Sequence, residues 1–175
     1  MKKKIYGIEI ECVRGDIASQ EDMQAVVNAA NAQLKIGGGV AGALHIGAGP
    51  GLAEECRPMA PIKPGQAVIS GAHNLPNSYV IHCLGPVYGA DKPEDKLLSS
   101  CYENAMLLAE KNNIESIAFP SISTGAFAYP VKEAANVAIK TIAEKASRLN
   151  KLKNIRFVLH SEHDLKVYSN ALQSV

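Results

Sequence analysis

Two loops in this chain have the composition of anion-binding sites. The first contains three consecutive glycines at residues 37–39, and the second, residues 121–127, has the sequence Ser-Ile-Ser-Thr-Gly-Ala-Phe. Each loop comes just before a predicted helix. Glycine lets the backbone curl so that amide N–H groups point inward beside the positive helix end, and hydroxyl side chains add donors. Two such loops facing each other suit a diphosphate, whereas the glycine cluster alone could also be a tight turn.

Neither loop matches an established nucleotide-binding fingerprint. Residues 37–42 fit Gly-x-Gly-x-x-Gly by letter, but they follow their strand only after a gap. No acidic residue lies on a following strand at the expected offset of ~20 residues. The Gly-Lys-Ser/Thr sequence of a P-loop is absent. The loops therefore predict an anion cradle without identifying the nucleotide.

The predicted strands and helices place both loops at one edge of a sheet. Apolar patterning predicts strands near residues 6–13, 25–30, 67–70, 79–84, 116–121 and 155–159. It predicts helices near 40–46, 93–112, 130–143 and 165–172, and a second short helix that follows the first after a turn and ends near residue 57. This alternation implies a largely parallel sheet with helices on both faces, and the short turn after the third strand makes the sheet mixed. Ligands bind at the carboxyl ends of such strands, where residues 15–17, 28–31, 121–127 and 160–162 fall.

Composition predicts one water-soluble domain spanning residues 1–175, with 47% apolar residues, 20% charged residues and a net charge of +1. This excludes disorder, and the near-neutral charge argues against direct nucleic-acid binding. No apolar run approaches the ~20 residues of a membrane span. Glu9 and Glu11 interrupt the apolar region that a signal peptide requires, so we expect a cytoplasmic protein without a membrane partner. Composition says nothing about the oligomeric state.

Cysteine and histidine spacing predicts no disulfide framework and no zinc site. The four cysteines form no Cys-x-x-Cys pair and are expected to be buried free thiols. No set of His, Cys and Asp has zinc-ligand spacing, so we expect neither a metal nor a cofactor. His82 lies within an apolar strand and is expected to be structural, and His45 is not assigned as a base.

Several motifs in register make this sequence resemble the macro domain family. They are Val-Asn-Ala-Ala-Asn at 27–31, Gly-Gly-Gly-Val at 37–40, Val-Ile-His-Cys-Leu-Gly-Pro at 80–86 and Phe-Pro-Ser-Ile-Ser-Thr-Gly at 119–125. The resemblance extends from Gly15 to the last helix and is greatest to the MacroD-type branch, through residues 42–45 and 123–130. It implies a three-layer α/β/α sandwich with a mixed, mostly parallel central sheet, and a crevice that binds ADP-ribose.

The resemblance also implies roles for individual residues. Asp16 would accept a hydrogen bond from the adenine amino group, the Ile17 amide would reach the ring, and His160 stands where relatives place an aromatic that covers adenine. Asn31 would bond the distal ribose and position water, which makes it the one catalytic candidate. The diphosphate would be held by Gly38, Gly39, Val40, Ser123, Thr124, Gly125, Ala126 and Phe127, the last of which would also lie against the distal ribose.

Each of these side chains has an ordinary structural alternative. Asp16 could cap a helix, Asn31 could be a turn residue, and Phe127 could be a core aromatic. The imidazole of His160 would bury less area against adenine than a larger aromatic ring.

Ala41 departs from the MacroD-type pattern, which has at this position an Asp thought to orient or activate water. A methyl group accepts no proton, and general-base help is worth ~10²–10⁴-fold. Hydrolysis persists if a substrate phosphate oxygen takes the proton while Asn31 and the glycine loop position the water.

Two functions follow from this departure. The first is a weak hydrolase of mono-ADP-ribosyl-protein or O-acetyl-ADP-ribose ester bonds, and the second is a non-catalytic ADP-ribose reader. The rest of the hydrolytic-branch loop favours the enzyme, whereas Ala41 favours the reader. The expected partners are ADP-ribose or an ADP-ribosylated protein. A role in RNA processing is disfavoured by the +1 charge and the 5% aromatic content.

Overall fold

The computed structural model describes residues 1–175 and is built around one seven-stranded sheet. The strands are β1 (Lys2–Ile5), β2 (Ile8–Arg14), β3 (Ala25–Ala29), β4 (Ala67–Gly71), β5 (Tyr79–Cys83), β6 (Ser116–Phe119) and β7 (Asn154–Leu159). The helices are α1 (Gly39–Ala48), α2 (Gly51–Cys56), α3 (Glu94–Lys111), α4 (Val131–Lys145) and α5 (Glu162–Gln173). Short 3₁₀ turns lie at Ile17–Ser19, Arg57–Met59 and Ala146–Arg148.

The sheet is mixed, as predicted, in the order β1-β2-β7-β6-β3-β5-β4. The four inner pairings, from β2 to β5, are parallel, and the two outer strands β1 and β4 pair antiparallel to their neighbours. The carboxyl ends of β2, β7, β6, β3 and β5 therefore lie along one edge of the sheet. This edge carries every loop that the sequence singled out.

The first strand is a correction to the sequence prediction, which began the sheet near residue 6. β1 contains three lysines and lacks the apolar run of a central strand, because it lies at the sheet edge and pairs only with β2. Charged residues on an edge strand discourage pairing with another chain. Lys2 forms ion pairs with Glu9 and Glu11 on the neighbouring strand, at 3.6 Å and 3.5 Å.

Both faces of the sheet are covered by helices, which confirms the predicted α/β/α sandwich. The larger apolar cluster contains 31 buried residues, including those of α3, α4 and α5. The smaller contains 16, including Leu44 and Ala48 of α1 and both buried residues of α2. Val26 and Val27 are consecutive in β3 and fully buried, yet they belong to opposite clusters. Burial on both sides explains why this strand reads as a continuous apolar run.

The end of the chain shows how capping sets a helix boundary. The sequence prediction began the last helix near residue 165, whereas α5 begins at Glu162. Ser161 is its N-cap, and the Ser161 hydroxyl accepts a hydrogen bond from the backbone N–H of Asp164 at 3.1 Å. This satisfies one of the amides at the helix start that have no intrahelical partner.

The structure also bears on the cysteines and on membrane spans. All four cysteines are buried free thiols, as predicted. None of the five α-helices is both long enough and apolar enough to span a lipid bilayer.

Candidate functional site

The glycine loop folds tightly over the first turn of α1. Gly38 is the N-cap, and Gly39 has φ +56°, a conformation that favours glycine. A Cβ atom at Gly42 would lie 2.5 Å from the carbonyl oxygen of Gly37, so a side chain there would displace the loop. The first backbone N–H groups of an α-helix have no intrahelical acceptor. The start of α1 is therefore a cradle of backbone donors at the positive end of the helix dipole.

The loop between β6 and α4 forms the second wall. Ser123 and Ala128 have positive φ values of 68° and 61°, which is uncommon for residues other than glycine. The turn is closed by hydrogen bonds from Tyr129 N to Ser123 O at 2.9 Å and from Ala128 N to Gly125 O at 3.0 Å. Such strained backbone persists where the surrounding structure holds it, commonly at ligand sites.

A cavity of about 310 Å³ lies between the two walls. Eight of the residues expected to bind ligand line it: Asn31, Gly38, Gly39, Val40, Ser123, Gly125, Ala126 and Phe127. Five other lining residues belong to segments that the sequence singled out without giving each of them a ligand contact: Gly37, Ser121 and Ile122 in the two anion-binding loops, and Ala29 and Ala30 among residues 28–31. Gly85 also lines the cavity, and the sequence assigned it no contact with the ligand. Ala41 completes the lining.

The cavity lining contains no ionisable side chain. An anion in this cavity would be held by backbone N–H groups and hydroxyls rather than by lysine or arginine. Such fixed dipoles stabilise an anion without salt bridges. The lining also offers no carboxylate or imidazole that could act as a general base.

Asn31 lies at the cavity and is half-buried, but its amide is partly engaged. Asn31 Oδ1 accepts from the backbone N–H of Lys35 at 3.0 Å, and Asn31 Nδ2 donates to the carbonyl of Lys35 at 2.8 Å. The amide thus closes the loop that leads into the glycines, which is the turn role considered above. One N–H and one lone pair on the oxygen remain for a ligand.

Asp16 lies outside the cavity lining, at the end of β2, and caps a helical turn. Asp16 Oδ1 accepts from Ala18 N at 2.9 Å, which leaves the second carboxylate oxygen open. The Gln20 side chain anchors this turn, because Gln20 Nε2 donates to Asp16 O at 2.8 Å while Gln20 Oε1 accepts from Arg156 at 2.9 Å. Asp16 is exposed and Ile17 is buried. Their contacts with adenine stay a prediction.

His160 and Thr124 also lie outside the lining. His160 is exposed and follows β7, the strand next to β2, so it lies at the same end of the sheet edge as Asp16. The Thr124 hydroxyl donates within its own loop, to Ser121 Oγ at 2.7 Å. Ligand contacts for both residues stay predictions.

The spacing of the sheet sets the scale of the whole site. β2 and β3 are three steps apart in the sheet order. Neighbouring strands are ~4.8 Å apart, so the loops after β2 and β3 are separated by about 14 Å. A ligand that reached from Asp16 to Asn31 would have to be elongated, with its middle at the cavity walls.

Ala41 is buried and faces the cavity with its methyl group. His45 follows one helical turn later and is buried, with Nε2 lacking a hydrogen-bond partner. Burial lowers the pKa of His45, so the imidazole is neutral at pH 7. His45 does not line the cavity and is not assigned as a base.

Behind the cavity, His82 belongs to a buried polar network, as expected for a structural histidine. His82 Nε2 lies 2.9 Å from Ser70 Oγ and 3.4 Å from Cys56 Sγ, and His82 Nδ1 lies 3.1 Å from Asn28 Nδ2. Burial lowers the pKa of His82 to about 4. The ring is fully buried, so this set of polar groups links β3, β5 and β4 without access to a ligand.

No group of three or more His, Cys, Asp or Glu side chains is placed to hold a metal ion. A larger groove of about 480 Å³ lies between α3 and the edge strand β4. None of the expected site residues lines that groove, which leaves the smaller cavity as the candidate site.

Comparison with known proteins agrees with this geometry. The macro domain family model matches residues 27–138. The chain is 42% identical over 172 residues to the O-acetyl-ADP-ribose deacetylase of Klebsiella pneumoniae, covering 95% of this chain and 98% of that protein. It superposes on the Oceanobacillus iheyensis macrodomain with ADP at a TM-score of 0.94, with 37% identity and coverage of 99% and 95%. The Trypanosoma brucei macrodomain in complex with ADP-ribose gives a TM-score of 0.86 and 33% identity, covering 93% of this chain and 68% of that chain.

Proposed function

This chain belongs to the macro domain family, and from that membership we propose that it binds ADP-ribose in the cavity between the glycine loop and residues 121–127. The observation that carries the proposal is the pair of facing, backbone-rich walls without an ionisable side chain. A diphosphate between them would accept hydrogen bonds from both sides. Macrodomains of similar fold have been solved with ADP and with ADP-ribose.

The order of the loops along the sheet edge gives the ligand a direction. The adenine lies at the β2 and β7 end, where the open oxygen of Asp16 accepts from its amino group and His160 covers the ring. The distal ribose lies at the β3 end, against Phe127 and the remaining donor and acceptor of Asn31. The separation of about 14 Å between these ends suits an extended dinucleotide-like ligand.

We further propose slow hydrolysis of an ester bond at the distal ribose, in mono-ADP-ribosyl-protein or in O-acetyl-ADP-ribose. Asn31 positions a water molecule, and a phosphate oxygen of the substrate takes its proton. Attack at C1″ breaks the bond from C1″ to the ester oxygen and releases the protein carboxylate. Attack at the ester carbon breaks the bond from that carbon to the ribose oxygen, which releases acetate and a ribose hydroxyl that receives the proton. Ala41 supplies no base, so we expect a rate ~10²–10⁴-fold below that of a domain with a carboxylate at this position.

The second candidate is a non-catalytic reader of ADP-ribose. The observation in its favour is that no carboxylate or imidazole lines the cavity. The partner in either case is a protein or metabolite that carries ADP-ribose. A single domain over residues 1–175 and a cytoplasmic location remain proposals that rest on the sequence.

One preparation used for two measurements separates the two candidates. A calorimetric titration with ADP-ribose measures binding, and a single-turnover assay with an ADP-ribosylated glutamate substrate and with O-acetyl-ADP-ribose measures hydrolysis. Micromolar binding with slow turnover above the buffer rate supports the hydrolase. Binding without turnover supports the reader, and the absence of binding contradicts both.

A further inference from the structure

The second wall of the cavity is connected to the protein core through a chain of hydroxyl groups. The Ser121 hydroxyl lies 2.7 Å from the Tyr168 hydroxyl and 2.7 Å from the Thr124 hydroxyl, which donates to it. Ser121 is half-buried and lines the cavity, whereas Tyr168 is fully buried on α5. Tyr168 lies outside residues 27–138, the stretch that the family model matches.

Burial and the short contacts in this chain determine which hydroxyl donates to which. Ser121 Oγ is the one hydrogen-bond partner of the Tyr168 hydroxyl. If Ser121 donated to Tyr168, the phenolic proton would have no acceptor in a buried environment, which is unfavourable. Tyr168 therefore donates to Ser121. Burial raises the pKa of Tyr168 to about 12, so the phenol keeps its proton at neutral pH.

The Thr124 hydroxyl has one proton and two acceptors on Ser121, Oγ at 2.7 Å and the backbone carbonyl oxygen at 3.1 Å, and the shorter contact assigns this proton to Oγ. Ser121 Oγ then accepts two hydrogen bonds, from Tyr168 and from Thr124. A hydroxyl oxygen has two lone pairs, so both are occupied and Ser121 acts toward any further partner only as a donor. The proton of the Ser121 hydroxyl then points toward the cavity, which is the side of the residue without a protein partner. A phosphate oxygen of the ligand can accept a hydrogen bond from this hydroxyl. The diphosphate is deprotonated at neutral pH, so it has no proton of its own to donate.

We propose that Tyr168 is a positioning residue of the binding site, which orients the Ser121 hydroxyl as an obligate donor to the diphosphate of the ligand. This inference rests on the proposed ADP-ribose function. It adds Ser121 to the residues that contact the ligand. Through Tyr168, helix α5 would then help the site to select a ligand group, such as phosphate, that only accepts hydrogen bonds. Without the hydrogen bond from Tyr168, the Ser121 hydroxyl would be free to rotate and could either donate to the ligand or accept from it.

The test is a double-mutant cycle on the affinity for ADP, measured by calorimetry with Tyr168→Phe, Ser121→Ala and the double variant. Tyr168→Phe keeps the ring that packs on Phe157, with centroids 5.2 Å apart, and removes only the hydroxyl. We expect a loss of affinity of about 3- to 10-fold for Tyr168→Phe and about 10-fold for Ser121→Ala. The double variant should lose no more than Ser121→Ala alone.

Tyr79→Phe is the matched control, because Tyr79 is half-buried at the amino end of β5, the end opposite to the cavity. It should bind ADP as the wild type does. Unchanged affinity in Ser121→Ala or in Tyr168→Phe would overturn the proposal, and so would additive losses in the double variant, since a purely structural tyrosine acts independently of Ser121. If the wild type itself fails to bind ADP, the proposed function fails instead.

Discussion

Gly85 and Ser123 approach so closely that a methyl group on Gly85 would overlap Ser123 Oγ. The same methyl group would lie 2.6 Å from Ile122 Cγ2. Gly85 follows β5 and the other two residues follow β6, so the contact fixes the second wall of the cavity against the sheet. Ser123 Oγ is buried there without a hydrogen-bond partner.

Gly85→Ala is therefore expected to push residues 121–127 away from the sheet. We expect ADP-ribose affinity to fall by about tenfold or more, with ~1–3 kcal/mol lost from the free energy of unfolding through overpacking. Calorimetry and urea unfolding measure the two effects. Gly71→Ala is the control, because its added methyl group would meet nothing closer than 3.4 Å and lies away from the cavity. Equal affinity in Gly85→Ala and wild type would contradict this role.

Asp16 is predicted to have two functions that substitution can separate. Asp16→Ala should weaken ADP-ribose binding by ~1–3 kcal/mol, because the adenine amino group loses its acceptor, and should lose ~1 kcal/mol of stability with the cap. Asp16→Asn retains an oxygen to cap Ala18 but presents N–H donors with its other group. It should keep the melting temperature and still weaken binding. Wild-type affinity in Asp16→Asn would show that adenine is recognised elsewhere.

Ala41→Asp should restore a base at the cavity. Ala41 lines the site in the first turn of α1, where the helix dipole favours a negative charge. We expect single-turnover hydrolysis of an ADP-ribosylated glutamate substrate to rise by up to ~10²–10⁴-fold. Ala43→Asp, on the same helix but outside the lining, is the control. An unchanged rate in Ala41→Asp with intact binding would refute the missing-base account.

His82 is expected to make stability depend on pH. Burial lowers its folded-state pKa to about 4 from 6.5, so the folded protein favours the neutral ring. Stability is then full above pH 6.5 and is lost as the pH falls toward 4, by about 3 kcal/mol at most. Urea unfolding between pH 7.5 and 4 measures the slope. His82→Gln should remove most of this slope and leave the smaller part that His45 contributes, because burial lowers the pKa of His45 as well. Substitution of the exposed His163 should leave the slope unchanged. An equal slope in His82→Gln and wild type would assign the effect to other groups.

Much of the fold was predictable because it depends on local patterns. The strand β3 is predicted by its own apolar run, which is buried on both faces. The helix α3 is predicted by the helical spacing of its own apolar residues. β1 was not predictable in this way, because an edge strand with three lysines has no buried face to mark it. The start of α5 is set by the Ser161 cap, whereas apolar spacing alone places it three residues later.

The site was predictable where it consists of loop backbone and less so where it depends on tertiary contacts. Glycines 38 and 39 and residues 123–127 carry their own signal in composition. The need for glycine at position 85 arises only when β5 and the loop after β6 come together. The Ser121–Tyr168 contact joins residues 47 apart, and no local pattern indicates it.

A crystal structure with ADP-ribose tests the central claim most directly. We predict the diphosphate between the start of α1 and residues 121–127, within hydrogen-bonding distance of backbone N–H groups on both sides, with adenine beside Asp16. A cavity that stays empty at saturating ADP-ribose, or a nucleotide bound elsewhere on the protein, would contradict the account.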